Sequence, residues 1–199
     1  MASVLLVCLA SYLLGSIPNG LVFGKLIWHV DLREYGSHNI GATNAWRTLG
    51  KGPGFLIFLL DFLKGALSVG FAEVFAPLPL VMVIAGILAI VGHSCSLFLH
   101  FKGGKGVATG LGVIAMLMPL PSFIVFLVWL AIVMVTKYVS LGSCIAAALV
   151  PILSYAWGYP GAYTAFGVLA AAFIIIRHKA NIVRLMNGTE NKIHAGHRD

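Results

Sequence analysis

The chain has 199 residues, of which 60% are apolar and only 10% charged, with a formal net charge of +7 and a mean hydropathy of +0.98. A soluble domain carries roughly a quarter charged residues, so this composition excludes an ordinary soluble protein and predicts an all-α, polytopic integral membrane protein. Nucleic acid is excluded as the reason for the positive charge, because the basic residues fall in short loops between apolar runs, where they set orientation and meet anions.

The first apolar run, residues 3–23, has no Lys or Arg ahead of it and reads as a retained span rather than a cleaved leader. Gly15, Pro18 and Gly20 predict a kink or break within it. The longest polar connection follows, residues 29–53, and contains EYGSHNIGATNAWRTLGKG. A second span, residues 55–75, carries Asp61 and Lys64 at i and i+3, where pairing lowers the cost of charge in the bilayer. After a PLP turn, a third span (80–101) delivers the loop KGGKG, Lys102 to Gly106. The fourth run, 107–118, has about 12 residues and reaches only ~18 Å against ~30 Å of hydrocarbon. This predicts a recessed loop or a locally thinned bilayer. Further spans are expected at 122–136, 141–157 and 163–176, with the polar joint KYVSLGS before the second of these. The tail, RHKANIVRLMNGTENKIHAGHRD, starts as a helix and turns polar from about residue 188. Cys8, Cys95 and Cys144 lie at unrelated spacings, which gives neither a disulfide framework nor a metal site.

Seven spans threaded alternately place every Lys and Arg except Lys64 on one side. The positive-inside rule then puts the N-terminus outside and the C-terminus in the cytoplasm. GSHNIGATNAWR, KGGKG, KYVSLGS and RHKAN converge on the cytoplasmic face of one transmembrane domain, residues 1–199.

Adjacent Gly103 and Gly104 let the backbone turn its N–H groups toward one point, and a helix starting near Gly106 aims its positive end there, so phosphate is the natural occupant. The plainer interpretation is that Lys102 and Lys105 only flank a membrane helix. A P-loop is excluded, since Gly106 follows Lys105 where Ser or Thr is needed and the four-residue spacer is missing. The converging segments are rich in cations and donors: Ser37, Asn39, Thr43, Asn44, Arg47, Lys102, Lys105, Ser143, Arg177, His178, Asn181 and Arg184. Only Asp31, Glu34 and Glu190 lie within loop reach, which argues against a magnesium-dependent reaction. The fork of Arg47 matches a phosphate bidentately. Arg177, Asn181 and Arg184 recur at i, i+4 and i+7 and predict a polar stripe on one helix, or else an anchoring helix whose cations snorkel to headgroups. His178, between Arg177 and Lys179, is held toward its neutral form, which can accept a proton. Ser37 or Asn39 as a helix cap, Ser143 as a satisfied helix start, Asp61 and Lys64 as a structural ion pair, and His93 and His100 as interfacial or satisfied core histidines are the structural counterparts. No internal repeat of the kind seen in inverted-topology transporters is visible, and the outer turns carry no cations; a transporter or channel for phosphate or a phosphorylated metabolite is the alternative to an enzyme.

Three motifs in order, GSHNIGATNAWRTLG (36–50), GH with FLHFKGGKGVATG (92–110) and RHKANIVRLMNGTE (177–190), resemble those of the bacterial membrane-integral acyl-phosphate:glycerol-3-phosphate acyltransferases. GSIPNG, LDFLKG and KYVSLGS are minor matches, and the resemblance covers essentially the whole chain. The departure is Ser96, where family members usually carry Pro, which leaves the bend of the third span open. The resemblance implies transfer of a fatty acyl group from acyl phosphate to the 1-hydroxyl of glycerol 3-phosphate, without a covalent acyl-enzyme, metal or cofactor, at a bacterial inner membrane. It implies catalytic roles for Ser37, Arg47, Lys105, His178 and Asn181. Binding roles fall to Asn39, Thr43, Asn44, Lys102, Gly103, Gly104, Ser143, Arg177 and Glu190. The implied partners are acyl phosphate, glycerol 3-phosphate, membrane lipid and, in transient contact, the enzyme that makes the acyl phosphate. The terminal HAGHRD has the His-x4-Asp spacing of thioester-dependent acyltransferases and is read as a chance match in a polar tail.

Overall fold

The computed structural model describes residues 1–194; Ala195 to Asp199, and with them most of the HAGHRD match, lie outside the described residues. Ten α-helices follow one another: α1 (Ala2–Ser16), α2 (Asn19–Trp28), α3 (Ala42–Leu49), α4 (Lys51–Phe75), α5 (Pro79–Ser94), α6 (Val107–Leu117), α7 (Pro119–Thr136), α8 (Val139–Ala156), α9 (Gly161–Arg177) and α10 (Lys179–Met186). No strand occurs among the described residues. Four of the apolar segments are long enough to cross a bilayer, and six if the bent pairs α1–α2 (43°) and α9–α10 (61°) each count once. α6, with 11 residues, is shorter than a normal span, as its sequence predicts.

Leu, Ile, Val and Phe cover the outside of the bundle, while its interior is built from small and β-branched side chains such as Val69, Val83, Ile90, Val113 and Ile114 around Phe166. This inversion follows from the solvent, because lipid tails are as apolar as Leu and helices associate through close backbone packing. Glycines supply that closeness. A Cβ on Gly112 would run into the Phe62 carbonyl, and one on Gly65 into the Thr109 carbonyl, so α4 and α6 touch backbone to backbone.

Three sequence expectations are corrected in detail and one is borne out. Residues 29–53 are not all loop, because Ala45 and Leu49 find an apolar patch with Val30, Leu32 and Ile57, which orders α3; α4 then starts at Lys51, not at residue 55. The first span does break where Pro18 lacks a donor. The third span stops at Ser94 rather than residue 101, because the Gly103 and Gly104 amides donate to the Ser94 and His93 carbonyls at 3.0 and 3.1 Å and close the helix end. Residues 95–101 wrap around that end, and the hydroxyl of Ser96 donates to the Ser16 carbonyl, so the bend forms without proline. Finally, the helix breaks at His178, so Arg177 ends α9 while Asn181 and Arg184 lie on α10 and the single stripe is divided.

Replacing Gly112 with Ala should lower the thermal midpoint of the protein in micelles by an amount equivalent to ~1–3 kcal/mol, since α4 and α6 must separate. Gly70→Ala, whose Cβ would make an ordinary 3.8 Å contact with Met116, is the control and should leave the midpoint unchanged.

Candidate active site

Polar segments from far apart in the chain meet at one end of the bundle. Arg47 Nη2 donates to the Asn191 carbonyl at 2.6 Å, Lys105 Nζ to Asn181 Oδ1 at 2.6 Å, and Ile193 N to the Lys137 carbonyl at 2.8 Å. They enclose one end of a cavity of about 170 Å³. Its polar wall includes Ser37, Arg47, Lys105, His178, Asn181 and Glu190; its other end is an apolar groove among α6, α7, α8 and α9, lined by residues such as Ile114, Val125, Phe126, Trp129 and Val150.

The first motif forms a tight loop around one side chain. Asn44, at the start of α3, is 1% exposed; its Oδ1 accepts from the Ser37 amide at 2.9 Å, and its Nδ2 donates to the Leu32, Tyr35 and Asn39 carbonyls. Asn39 Oδ1 accepts from the Gly41 amide at 2.9 Å, an Asx turn that starts α3. Ser37, Asn39, Thr43, Asn44 and Arg47 all line the cavity. Nε of Arg47 is buried without a partner among the described residues.

The sequence predicts that the glycine amides of the KGGKG loop converge on an anion; in the structure they cap α5 instead. Gly103 and Gly104 instead give their carbonyls to Arg177 Nη2, at 3.3 and 3.0 Å. Lys102 is exposed, and of the two loop lysines Lys105 lines the cavity. The anion-attracting backbone is displaced by two residues: Gly106, in the left-handed region at φ 81°, starts α6 and, with Val107 and Ala108, faces the cavity.

Glu190 organises the third motif. It is 7% exposed and accepts from Ser140 Oγ (2.8 Å), Asn181 Nδ2 (2.7 Å) and Arg184 Nε (2.7 Å). Burial pushes its carboxyl up, and these hydrogen bonds more than offset that, leaving it below the usual glutamate value. His178 Nδ1 lies 2.8 Å from the Ile174 carbonyl. A carbonyl only accepts, so Nδ1 carries the proton and the neutral ring leaves an Nε2 lone pair. Burial, with Lys105 and Arg177 nearby, pushes the His178 pKa down to about 4 against the bond to Ile174. Burial, with Arg184 and Arg47, brings Lys105 down to about 8 in spite of Glu190; burial lowers Arg47 too. Ser143 lines the cavity, donates to the Val139 carbonyl at 2.8 Å and accepts from Trp129 Nε1 at 3.3 Å. Asp31 is taken up by Lys25 (3.0 Å) and Arg33 (2.6 Å).

Sequence reasoning misses Ser140 and gives Asp61 and His93 structural roles only. Ser140 anchors Glu190, although only the joint KYVSLGS marks it. Asp61 and His93 line the cavity floor; an acidic residue inside an apolar span is the signal that singles out Asp61.

Fold and site together define a multi-pass membrane protein whose main cavity joins a cationic end to an apolar groove. The model of a family described as glycerol-3-phosphate acyltransferase matches residues 5–188, and the chain belongs to that family. It is 47% identical to the glycerol-3-phosphate acyltransferase of Syntrophomonas wolfei over 96% of both chains. It is 44% identical to glycerol-3-phosphate acyltransferase 2 of Moorella thermoacetica, over 95% of this chain and 97% of that one. Among solved structures, the glycerol 3-phosphate form of PlsY (YgiH), an integral membrane glycerol 3-phosphate acyltransferase, superposes with a TM-score of 0.92 at 42% identity over 96% of both chains. The lysophosphatidic acid form superposes with a TM-score of 0.89 at 40% identity, over 96% of this chain and 95% of that one.

Lys105 is charged below a pH of about 8 and loses its charge as pH rises through that value. Inorganic phosphate binding, measured by titration calorimetry in micelles, should weaken over that rise, and Lys105→Arg should move the loss to higher pH. Affinity that stays flat to strongly alkaline pH in the parent protein would contradict this.

Proposed function

We propose that the chain transfers a fatty acyl group from acyl phosphate to the 1-hydroxyl of glycerol 3-phosphate, giving lysophosphatidate and inorganic phosphate. The observation that carries this reading is the pairing of half-buried Arg47 and Lys105, against a carboxylate already bound by Arg184, with an apolar groove in the same cavity. A phosphate head with a lipid tail matches both ends. The positive-inside rule supports seven spans in one domain, with the N-terminus outside and this cationic end facing the cytoplasm of a bacterial inner membrane.

Acyl phosphate is a mixed anhydride with a good leaving group, so positioning and charge neutralisation suffice. The glycerol hydroxyl oxygen bonds to the acyl carbon, the bond from that carbon to the phosphate oxygen breaks, and its electron pair leaves with the phosphate. Lys105, Arg47 and the α6 start hold one phosphate; Ser37, Ser143 and His178 align the other reactant, and Asn181 holds Lys105 in place. Glu190 acts through Asn181, while Gly103, Gly104 and Arg177 shape the loop. Asn39, Thr43 and Asn44 shape the wall, and Lys102 draws anions to the mouth. The hydroxyl proton passes to the departing phosphate, which gains negative charge as its bond to the acyl carbon breaks and is then a stronger base than a histidine held near 4. The donor arrives from the enzyme that makes acyl phosphate, in transient contact.

Purified protein given palmitoyl phosphate and glycerol 3-phosphate, without metal or coenzyme A, should release phosphate and lysophosphatidate in equal amounts. Lys105→Ala should lose at least ~100-fold of both. His178→Gln should keep most of kcat and raise KM; a collapse of kcat at saturating substrate would instead make His178 the base. Absence of turnover in folded parent protein would overturn the acyl-phosphate assignment.

A further inference from the structure

Asp61 and His93 line the cavity yet take no part in the reaction above. Asp61 Oδ1 accepts from Asn19 Nδ2 at 3.0 Å and pairs with Lys64 Nζ at 3.1 Å. Lys64 also donates to the Ile17 carbonyl at 3.0 Å, so this pair ties α4 to the break between α1 and α2. His93 Nδ1 stands 3.7 Å from the same carboxylate oxygen, too far for a hydrogen bond. It is buried and has no other partner among the described residues. A buried nitrogen left unpartnered is uncommon and needs a cause.

The opposite edge of the ring is occupied as well. Nε2, Cε1 and Cδ2 of His93 press against Gly104 so closely that no Cβ fits there. The Gly104 amide donates to the His93 carbonyl at 3.1 Å, and Arg177 holds the Gly104 carbonyl from the other side. Lys105 is the next residue. The imidazole is therefore a spacer between an anchored carboxylate and the backbone that carries the cavity's lysine.

We infer that His93, seated against Asp61, is a positioning residue that fixes the 102–106 loop and so sets where Lys105 meets phosphate. The role deepens the reading above and rests on it for the identity of the anion. Without the ring, Gly104 sinks toward Asp61 and Lys105 is carried away from the anion, while the acyl-transfer chemistry itself is untouched. His93→Gln reaches the Nε2 position and keeps the loop supported; His93→Asn reaches only toward Asp61 and does not.

The test is inorganic phosphate binding by calorimetry in micelles, with thermal midpoints, for His93→Ala, His93→Asn, His93→Gln, Lys105→Ala and His93→Ala/Lys105→Ala. The expected result is about tenfold weaker binding in His93→Ala and His93→Asn, recovery in His93→Gln, and a double variant no weaker than Lys105→Ala alone. In turnover assays His93→Asn should raise KM for the substrate whose phosphate Lys105 holds, with kcat changed by less than about threefold. His93→Asn and His93→Gln keep the comparison informative if His93→Ala does not fold. Parent-like binding in His93→Asn, or losses that add fully to that of Lys105→Ala, would overturn the inference. Parent protein that binds no phosphate would instead overturn the phosphate reading of the site.

Discussion

Glu190 accepts from Ser140 on α8 and from Asn181 and Arg184 on α10, and through Asn181 it governs Lys105 on the loop before α6. Burying a carboxylate is costly unless its oxygens are fully bonded, and hydrogen bonds to a charged group contribute roughly 1.5–3 kcal/mol each. The three donors meet that requirement and in doing so draw the chain after α10 over the end of the bundle. The following residues then reach Arg47 through Asn191 and Lys137 through Ile193. One carboxylate thus assembles a cationic wall from parts of the chain that lie up to 144 residues apart.

The same arrangement explains why the cations stay available. Glu190 is bound by Arg184, which leaves Arg47 and Lys105 as positive charge in excess at this end of the cavity. α6 has only 11 residues, and the glycines at its contact with α4 bring the two backbones together. The groove that continues from this end is walled by Trp129, whose indole is fixed by Ser143 and stacked on Phe126 with ring centroids 5.9 Å apart. The polar end and the apolar groove are therefore parts of one cavity.

Much of this was legible in the sequence. Apolar runs gave the all-α membrane class, Pro18 marked the break of the first span, and the spacing of Asp61 and Lys64 gave their pair. The polar segments that the alternating spans bring to one end do enclose the cavity. What was not legible depends on tertiary partners. The glycine amides of KGGKG looked free because nothing in the loop shows that α5 ends beneath them. α3 has a polar sequence whose helix forms only because Val30, Leu32 and Ile57 cover its apolar face. Asp61 and Lys64 read as a closed pair, and only the packing of α4 against α5 brings His93 to them.

The claim at the centre of this account is that Glu190 builds the anion site although it carries the same charge as the anion. Phosphate affinity and thermal midpoint in Glu190→Gln measure it most directly. Gln offers a donor where Arg184 needs an acceptor, so the account predicts that both fall, with phosphate binding about tenfold weaker. If removing the negative charge instead strengthens phosphate binding and leaves the midpoint unchanged, Glu190 only repels the anion and the account is wrong.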